Sequence, residues 1–241
     1  MASNVPPRIS PANALATFDP FPRISGPEAD VAPPRAAIAR DPEVAAAAAA
    51  VVKIQGTACG LGVEGSGWVA GDGLVVTNAH VVAGQDDTRV QVGGTGPELD
   101  ATAVAFDPRN DVAVLRVRGL MQPALRFATR TRSGTEGAIL GYPLNGPYDV
   151  RAARLGATRT VLSQDAYGQG PVQRRMTSLR GTVRPGNSGG PVVDADGRVV
   201  TTIFAATRDR RPRGGYGVPN AIVRDALASA AGPVSTGPCA S

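Results

Sequence analysis

GDGLVVTNAHVVAG, residues 71–84, is a short apolar run framed by glycines, and its reading decides the kind of chain this is. LVVTNA within it is β-branched and bounded by turn formers, which suits a strand better than a helix. Runs of the same kind recur roughly every ten residues: TRVQV, TAVAF, DVAVLRV, GAILGY, PVVDADGRVVTTIF and YGVPNAIV, parted by Gly, Asp and Pro. DVAVLRV alternates with period two, and Asp194-Ala195-Asp196-Gly197 is a tight-turn signal between two runs. Helical spacing is confined to two places. Asp41 is an N-cap candidate before Pro42, Glu43 and a run of alanines, and NAIVRDALASAA at 220–231 carries apolar residues at helical intervals. No βαβ rhythm and no internal repeat is present. The chain reads as all-β, a sandwich or a pair of barrels, with a short helix near each end of the folded region.

Composition excludes several functions. The chain has 241 residues, 42% hydrophobic, and a net charge of +5. All but one of its 25 basic residues are Arg, the exception being Lys53. The densest basic stretch, RDRRPRGG at 208–215, is broken by Asp209, Pro212 and glycines and has no aromatic residue to stack a base, so it reads as a solvated loop and no nucleic-acid partner is expected. Residues 1–40 hold eight prolines and few paired apolar residues, and read as a linker or an extension draped over the surface. No export leader is evident, and the apolar run from Val44 to Val52 is too short to cross a bilayer. Two cysteines, Cys59 and Cys239, lie near the two ends of the folded region. They fit either reduced thiols in a cytosolic protein or a bond in the soluble part of an exported chain.

His80, the only histidine, ends the run first quoted. RPGNSGGPVV at 184–193 is too rich in glycine for a strand and describes a backbone folded around an exposed hydroxyl. Gly186 can adopt the dihedrals that turn two amide N–H groups, its own and that of Ser188, toward one point, and the amide of Asn187 between them is counted with the same oxyanion hole. Such a pair binds the oxygen that becomes negative when a nucleophile attacks a carbonyl. A serine hydroxyl needs a base to take its proton, and His80 is the only imidazole. An imidazole in turn needs a carboxylate. Asp86, Asp87, Glu98, Asp100, Asp107 and Asp111 are candidates, and Asp111 stands out because it directly precedes the strand-like VAVLRV. The order His80, Asp111, Ser188 is one of the known orders of a serine hydrolase triad.

TNAHVV, NDVAVLRV and GNSGGPVV, in this order and spacing, resemble the three catalytic motifs of the trypsin-like, chymotrypsin-fold serine proteases, over about Val51 to Ala228. The resemblance implies two antiparallel six-stranded β-barrels. Residues 41–125 would hold the N-terminal helix and first barrel, 126–232 the second barrel and C-terminal helix, and 233–241 a tail. It implies a serine endopeptidase that forms an acyl-enzyme, with neither metal nor cofactor, acting on peptides. Asn187 stands where digestive members carry an aspartate, so activation by a new N-terminus is not expected. GNSGG is similar to the HtrA/Deg branch, but without the PDZ domain. GTACGLGVEGSGWVAGDGLVVTNAHVVAG, with an early and a late cysteine, resembles more particularly the actinobacterial membrane-anchored periplasmic serine proteases linked to acid resistance. That resemblance implies a Cys59–Cys239 disulfide pinning the tail, a monomeric periplasmic protease domain, and a membrane segment outside this sequence.

Carried over by distance from Ser188, the specificity pocket would have Thr182 at its floor and Ile203, Phe204, Ala205, Ala206, Gly214, Gly215 and Tyr216 as walls. None is acidic, which favours an uncharged, medium or large apolar residue before the scissile bond. The competing reading is a protease fold that has lost turnover and binds or senses peptides.

Overall fold

The computed structural model describes residues 21–208 and 213–240. The first half of the proline-rich stretch, most of the basic loop and the final residue therefore lie outside it. The strands are β1 (Arg23–Ile24), β2 (Val51–Ala58), β3 (Leu61–Gly71), β4 (Leu74–Thr77), β5 (Arg89–Val92), β6 (Glu98–Asp107), β7 (Val112–Val117), β8 (Glu136–Gly141), β9 (Asp149–Ser163), β10 (Val172–Gly181), β11 (Pro191–Val193), β12 (Val199–Thr207) and β13 (Gly214–Pro219). Three helices join them: α1 (Pro42–Ala47), α2 (Ala79–Val82) and α3 (Asn220–Ser229).

Two closed antiparallel rings result. The first runs β2-β3-β4-β7-β6-β5. The second runs β12-β11-β8-β9-β10-β13 and closes through β12–β13 pairing, with β1 added at the edge of β12. The β-branched runs fill the rings: Val52, Ile54, Val75, Val90 and Leu115 pack inside the first, and Ile139, Leu155, Leu179, Val192 and Ile203 inside the second. A third cluster joins the barrels, built on Trp68, Val112 and Val114 from one and on Leu140, Met176, Phe204 and Tyr216 from the other. Closure leaves no long open edge on either ring.

α1 begins as its sequence dictates, with Asp41 Oδ1 accepting from Glu43 N at 3.0 Å and Pro42 in the first turn. Residues 21–40 depart from the linker reading. Arg23–Ile24 pair in parallel with Ala206–Thr207, and Ala206 N donates to Pro22 O at 3.1 Å. Arg180 Nη1 donates to Val31 O at 2.8 Å. Ile38, only 8% exposed, joins the interbarrel cluster. The physical reason is that β12 leaves backbone groups unpaired beyond β11, and a segment poor in N–H groups can still supply carbonyls to them.

Cys59 and Cys239 form a disulfide across 180 positions, with Cα atoms 6.1 Å apart. The tail before Cys239 lies along the first barrel, where Gly84 N donates to Thr236 O at 3.4 Å and Val234 N to Ala103 O at 2.9 Å. Gly84 has φ of +68°, and a Cβ there would stand 2.5 Å from Cys239 N, so only glycine admits the tail. A crosslink closing so long a loop stabilises by ~2–4 kcal/mol, mostly by restricting the unfolded chain. Cys59→Ser, or reductant, should lower the melting temperature by roughly 5–12 °C. Thermal unfolding of the Ser188→Ala protein with and without reductant measures it free of self-digestion. An unchanged midpoint would show that the bond does not form in solution.

Candidate active site

β4 delivers its last residue, Thr77, to the barrel rim, where Asn78 turns the chain into α2. This single helical turn is wholly buried and presents His80 toward the second barrel. Asp111 stands on the opposite side of His80, at the start of β7. Its φ of +59° is unusual for a residue with a Cβ, and aspartate is among the few that tolerate it. Asn78 Nδ2 donates to Asp111 O at 2.7 Å and so holds that turn. Ser188 comes from the loop between β10 and β11. Gly186 in that loop has φ of +84°, and a Cβ on it would meet Tyr142 O at 2.6 Å.

The three side chains form one continuous line. Ser188 Oγ lies 2.8 Å from His80 Nε2, and His80 Nδ1 lies 2.7 Å from Asp111 Oδ2. Asp111 Oδ1 also accepts from the His80 backbone N–H at 3.0 Å, which fixes the carboxylate plane. His80, Asp111 and Ser188 are only 3%, 1% and 2% exposed. Burial pushes the Asp111 carboxyl up, but the charge and hydrogen bonds of His80 and the charge of Arg174 outweigh it and hold it below the usual carboxylate range. The other acidic candidates stand elsewhere. Asp87 accepts from Thr57 N, Asp100 pairs with Arg89, and Asp107 accepts from Asn110.

The nucleophile loop departs from expectation at one donor. Asn187 N donates to Arg184 O at 3.0 Å, so this N–H is engaged, and Asn187 Oδ1 accepts from Arg184 N at 2.9 Å. Asn187 therefore shapes the turn and offers no backbone donor to a substrate oxygen. The available amides of the loop are those of Gly186 and Ser188.

Three of the predicted pocket residues line one cavity. Thr182, Ala206 and Gly214 line a cavity of about 510 Å³ with Val183, Arg184 and Arg208, and Phe21 from the N-terminal segment closes one side. Ile203, Phe204, Ala205, Gly215 and Tyr216 do not line it. The register of β12 against β13 shifts between Ile203 and Ala205, so the strand does not alternate evenly there, and Phe204 turns into the interbarrel cluster.

Three residues that sequence reasoning passed over support the site. Asn78 is one. Ser66 is a second: its N donates to Ser188 O at 2.8 Å, its Oγ donates to Gly186 O at 2.6 Å, and the same Oγ accepts from Tyr142 N at 2.9 Å. The signal was available in Gly65-Ser66-Gly67, since paired glycines inside a strand mark close backbone approach. Arg174 of β10 is the third, and its charge had no signature among so many arginines.

Residues 65–201 match the family model described as a trypsin-like peptidase domain. The chain is 38% identical over 232 residues, 94% of its length, to the serine protease Rv3671c of Mycobacterium tuberculosis. It is 35% identical over 139 residues, 56% of its length, to a probable periplasmic DegP-like serine endoprotease of Ectopseudomonas mendocina, of which those residues make up 28%. The chain spans about 57% of the length of the mycobacterial protein. The crystal structure of the Rv3671c protease in its active form superposes with a TM-score of 0.83, over 94% of this chain and all of that one. The inactive form superposes with 0.73, over 84% and 99%.

Proposed function

Because the chain belongs to the trypsin-like peptidase family, we propose that it is a serine endopeptidase in which Ser188, His80 and Asp111 act as nucleophile, base and orienting carboxylate. Ser188 Oγ attacks the peptide carbonyl while His80 Nε2 takes its proton. Asp111 holds the imidazole by Nδ1 and favours the imidazolium as it forms. The amides of Gly186 and Ser188 receive the negative oxygen, each worth about a hundredfold or more in rate. His80 then protonates the leaving amine, and water releases the acyl group by the same path reversed. The unbroken line from Ser188 Oγ through His80 to Asp111 carries this reading. The higher similarity to the active form of the mycobacterial protease supports it.

Fluorophosphonate labelling tests it. A catalytic Ser188 is modified at once, whereas a protease fold that only binds or senses peptides stays unlabelled.

The division of the chain at 125/126 is supported by two bonds that part there: Leu125 N donates to Val69 O of the first barrel, and Arg126 O accepts from Val199 N of the second. The cavity that Thr182, Ala206 and Gly214 line has no acidic group among its described lining residues and carries Arg23, Arg184, Arg208 and Arg213, which speaks against a basic side chain before the scissile bond. The names of the DegP-like relatives and the disulfide support a periplasmic site of action on protein substrates. No described helix is long and apolar enough to cross a membrane, so attachment would rest on a segment outside this sequence. A role under acid stress rests on the resemblance alone.

Activity falls on acidification once the imidazole takes up the proton it must be free to accept. Asp111, held below the usual carboxylate range, stays ionised through that fall. One ionisation therefore shapes the acid limb, and log kcat/KM should decline with a slope of about one. A slope of about two would mean that Asp111 protonates alongside His80. For stability the sign is the same: a carboxyl depressed by folding contributes above its unfolded value of about 3.9 and loses that contribution only below it. A rate that rises on mild acidification would point instead to acid-driven assembly of the site.

A further inference from the structure

Arg174 is only 3% exposed, yet its hydrogen-bond partners among the described residues are carbonyls and not carboxylates. Its Nη1 donates to Gln164 O at 3.2 Å and its Nη2 to Asn110 O at 3.3 Å. The guanidinium carbon sits 4.0 Å from the centroid of the Phe204 ring. Nε has no partner among the described residues. A buried cation satisfied by two carbonyls and a ring is costly to keep, and a neutral side chain would pack there at less expense. The charged groups facing it are Asp111, Asp107 and Asp165. Asp107 already accepts from the N and Nδ2 of Asn110, and Asp165 accepts from the N–H groups of Tyr167 and Gln169. The carbonyl that Arg174 holds belongs to the residue just before Asp111, whose own carbonyl is held by Asn78.

We propose that Arg174 is a positioning residue of the triad: from the second barrel it fixes the turn that carries Asp111 and sets a positive charge against the Asp111–His80 pair. The inference rests on the triad reading above. Two consequences separate its charge from its packing. Its charge favours the ionised Asp111 carboxylate, and a neutral side chain in its place would make protonation of the pair easier. The carbonyl contact holds the peptide before Asp111 at its unusual φ, so that the carboxylate meets both Nδ1 and the His80 N–H.

The test is the acid limb of kcat/KM in wild type, Arg174→Met, Arg174→Gln and Arg174→Lys, each first shown by circular dichroism to be folded. Both neutral variants should move the limb to higher pH by roughly half a unit to one unit. Losing the grip on the peptide before Asp111 should lower kcat about 10- to 100-fold with KM changed less than about threefold, the mark of a lost orienting contact and not of lost substrate binding. Arg174→Lys keeps the charge and loses the two-carbonyl grip, so its limb should stay in place while kcat falls. A folded neutral variant with an unmoved limb overturns the inference, as does a lysine variant displaced as far as the neutral ones. Arg174→Gln, the smaller change, keeps the measurement available if Arg174→Met does not fold. Wild type that hydrolyses peptides while the neutral variants keep its limb refutes Arg174 alone. Wild type inert to fluorophosphonate refutes the triad reading with it.

Discussion

Ser188→Ala removes peptide hydrolysis almost entirely, by about 10⁴- to 10⁶-fold in kcat, leaving what the two amides and substrate binding supply. The hydroxyl is the one atom in reach of both His80 Nε2 and a carbonyl held at the Gly186 and Ser188 amides, and no other described hydroxyl is bonded to that nitrogen. The fold should survive. The loop is held by backbone bonds that alanine keeps, among them Ser66 N to Ser188 O and Gly189 N to Ile203 O. Steady-state hydrolysis of a peptide library and a melting curve on the same preparation give both readings. Activity within tenfold of wild type would remove Ser188 from the chemistry.

The second large effect belongs to Asp111→Asn, at about 10⁴-fold near neutral pH, the usual loss when such a carboxylate becomes an amide. Asparagine tolerates the positive φ, and its oxygen can still accept from the His80 backbone. The amide nitrogen would then face Nδ1 as a donor, which favours the tautomer with its proton on Nε2. That imidazole cannot accept from Ser188. The rate of fluorophosphonate labelling should fall in step with kcat, because both need the same proton transfer. Labelling at the wild-type rate would mean that Asp111 does not govern the base.

The three residues of the proposed triad, which the structure brings into one hydrogen-bonded line, were legible because each sits in a local pattern with its own physical cause. A histidine just past a strand, an aspartate just before one and a serine among glycines each mark a strand end or sharp turn, and the structure places all three there. The hairpin of β9 and β10 left no comparable trace. DVRAARLGATRTVLS is rich in Arg and Ala, residues with no strand preference, and its pairing with β10 is fixed by a register of nine partner pairs and not by local propensity. The pocket walls were hard to read for a different reason. Positions counted from Ser188 assume an even period of two, and the register shift beside Phe204 breaks it. Asn187 was misassigned because spacing reveals which amides are near but not which already have an acceptor. Residues 21–40 looked unstructured by composition, and only the unpaired edge of β12, invisible in the local sequence, gives them a seat.

The bond between Cys59 and Cys239 also sets the covalent topology of the molecule. Everything between these residues belongs to a closed ring that holds the whole second barrel, the first barrel except β2, and the three members of the proposed triad, while the segment before Cys59 is joined to it by one peptide bond. A peptide bond broken inside the ring leaves one molecule, opened but undivided, and the halves part only when the sulfurs are reduced. A bond broken before Cys59 releases its fragment from covalent attachment at once. The two regions thus answer a nick differently: inside the ring it is retained as a scar, and outside it is a permanent shortening.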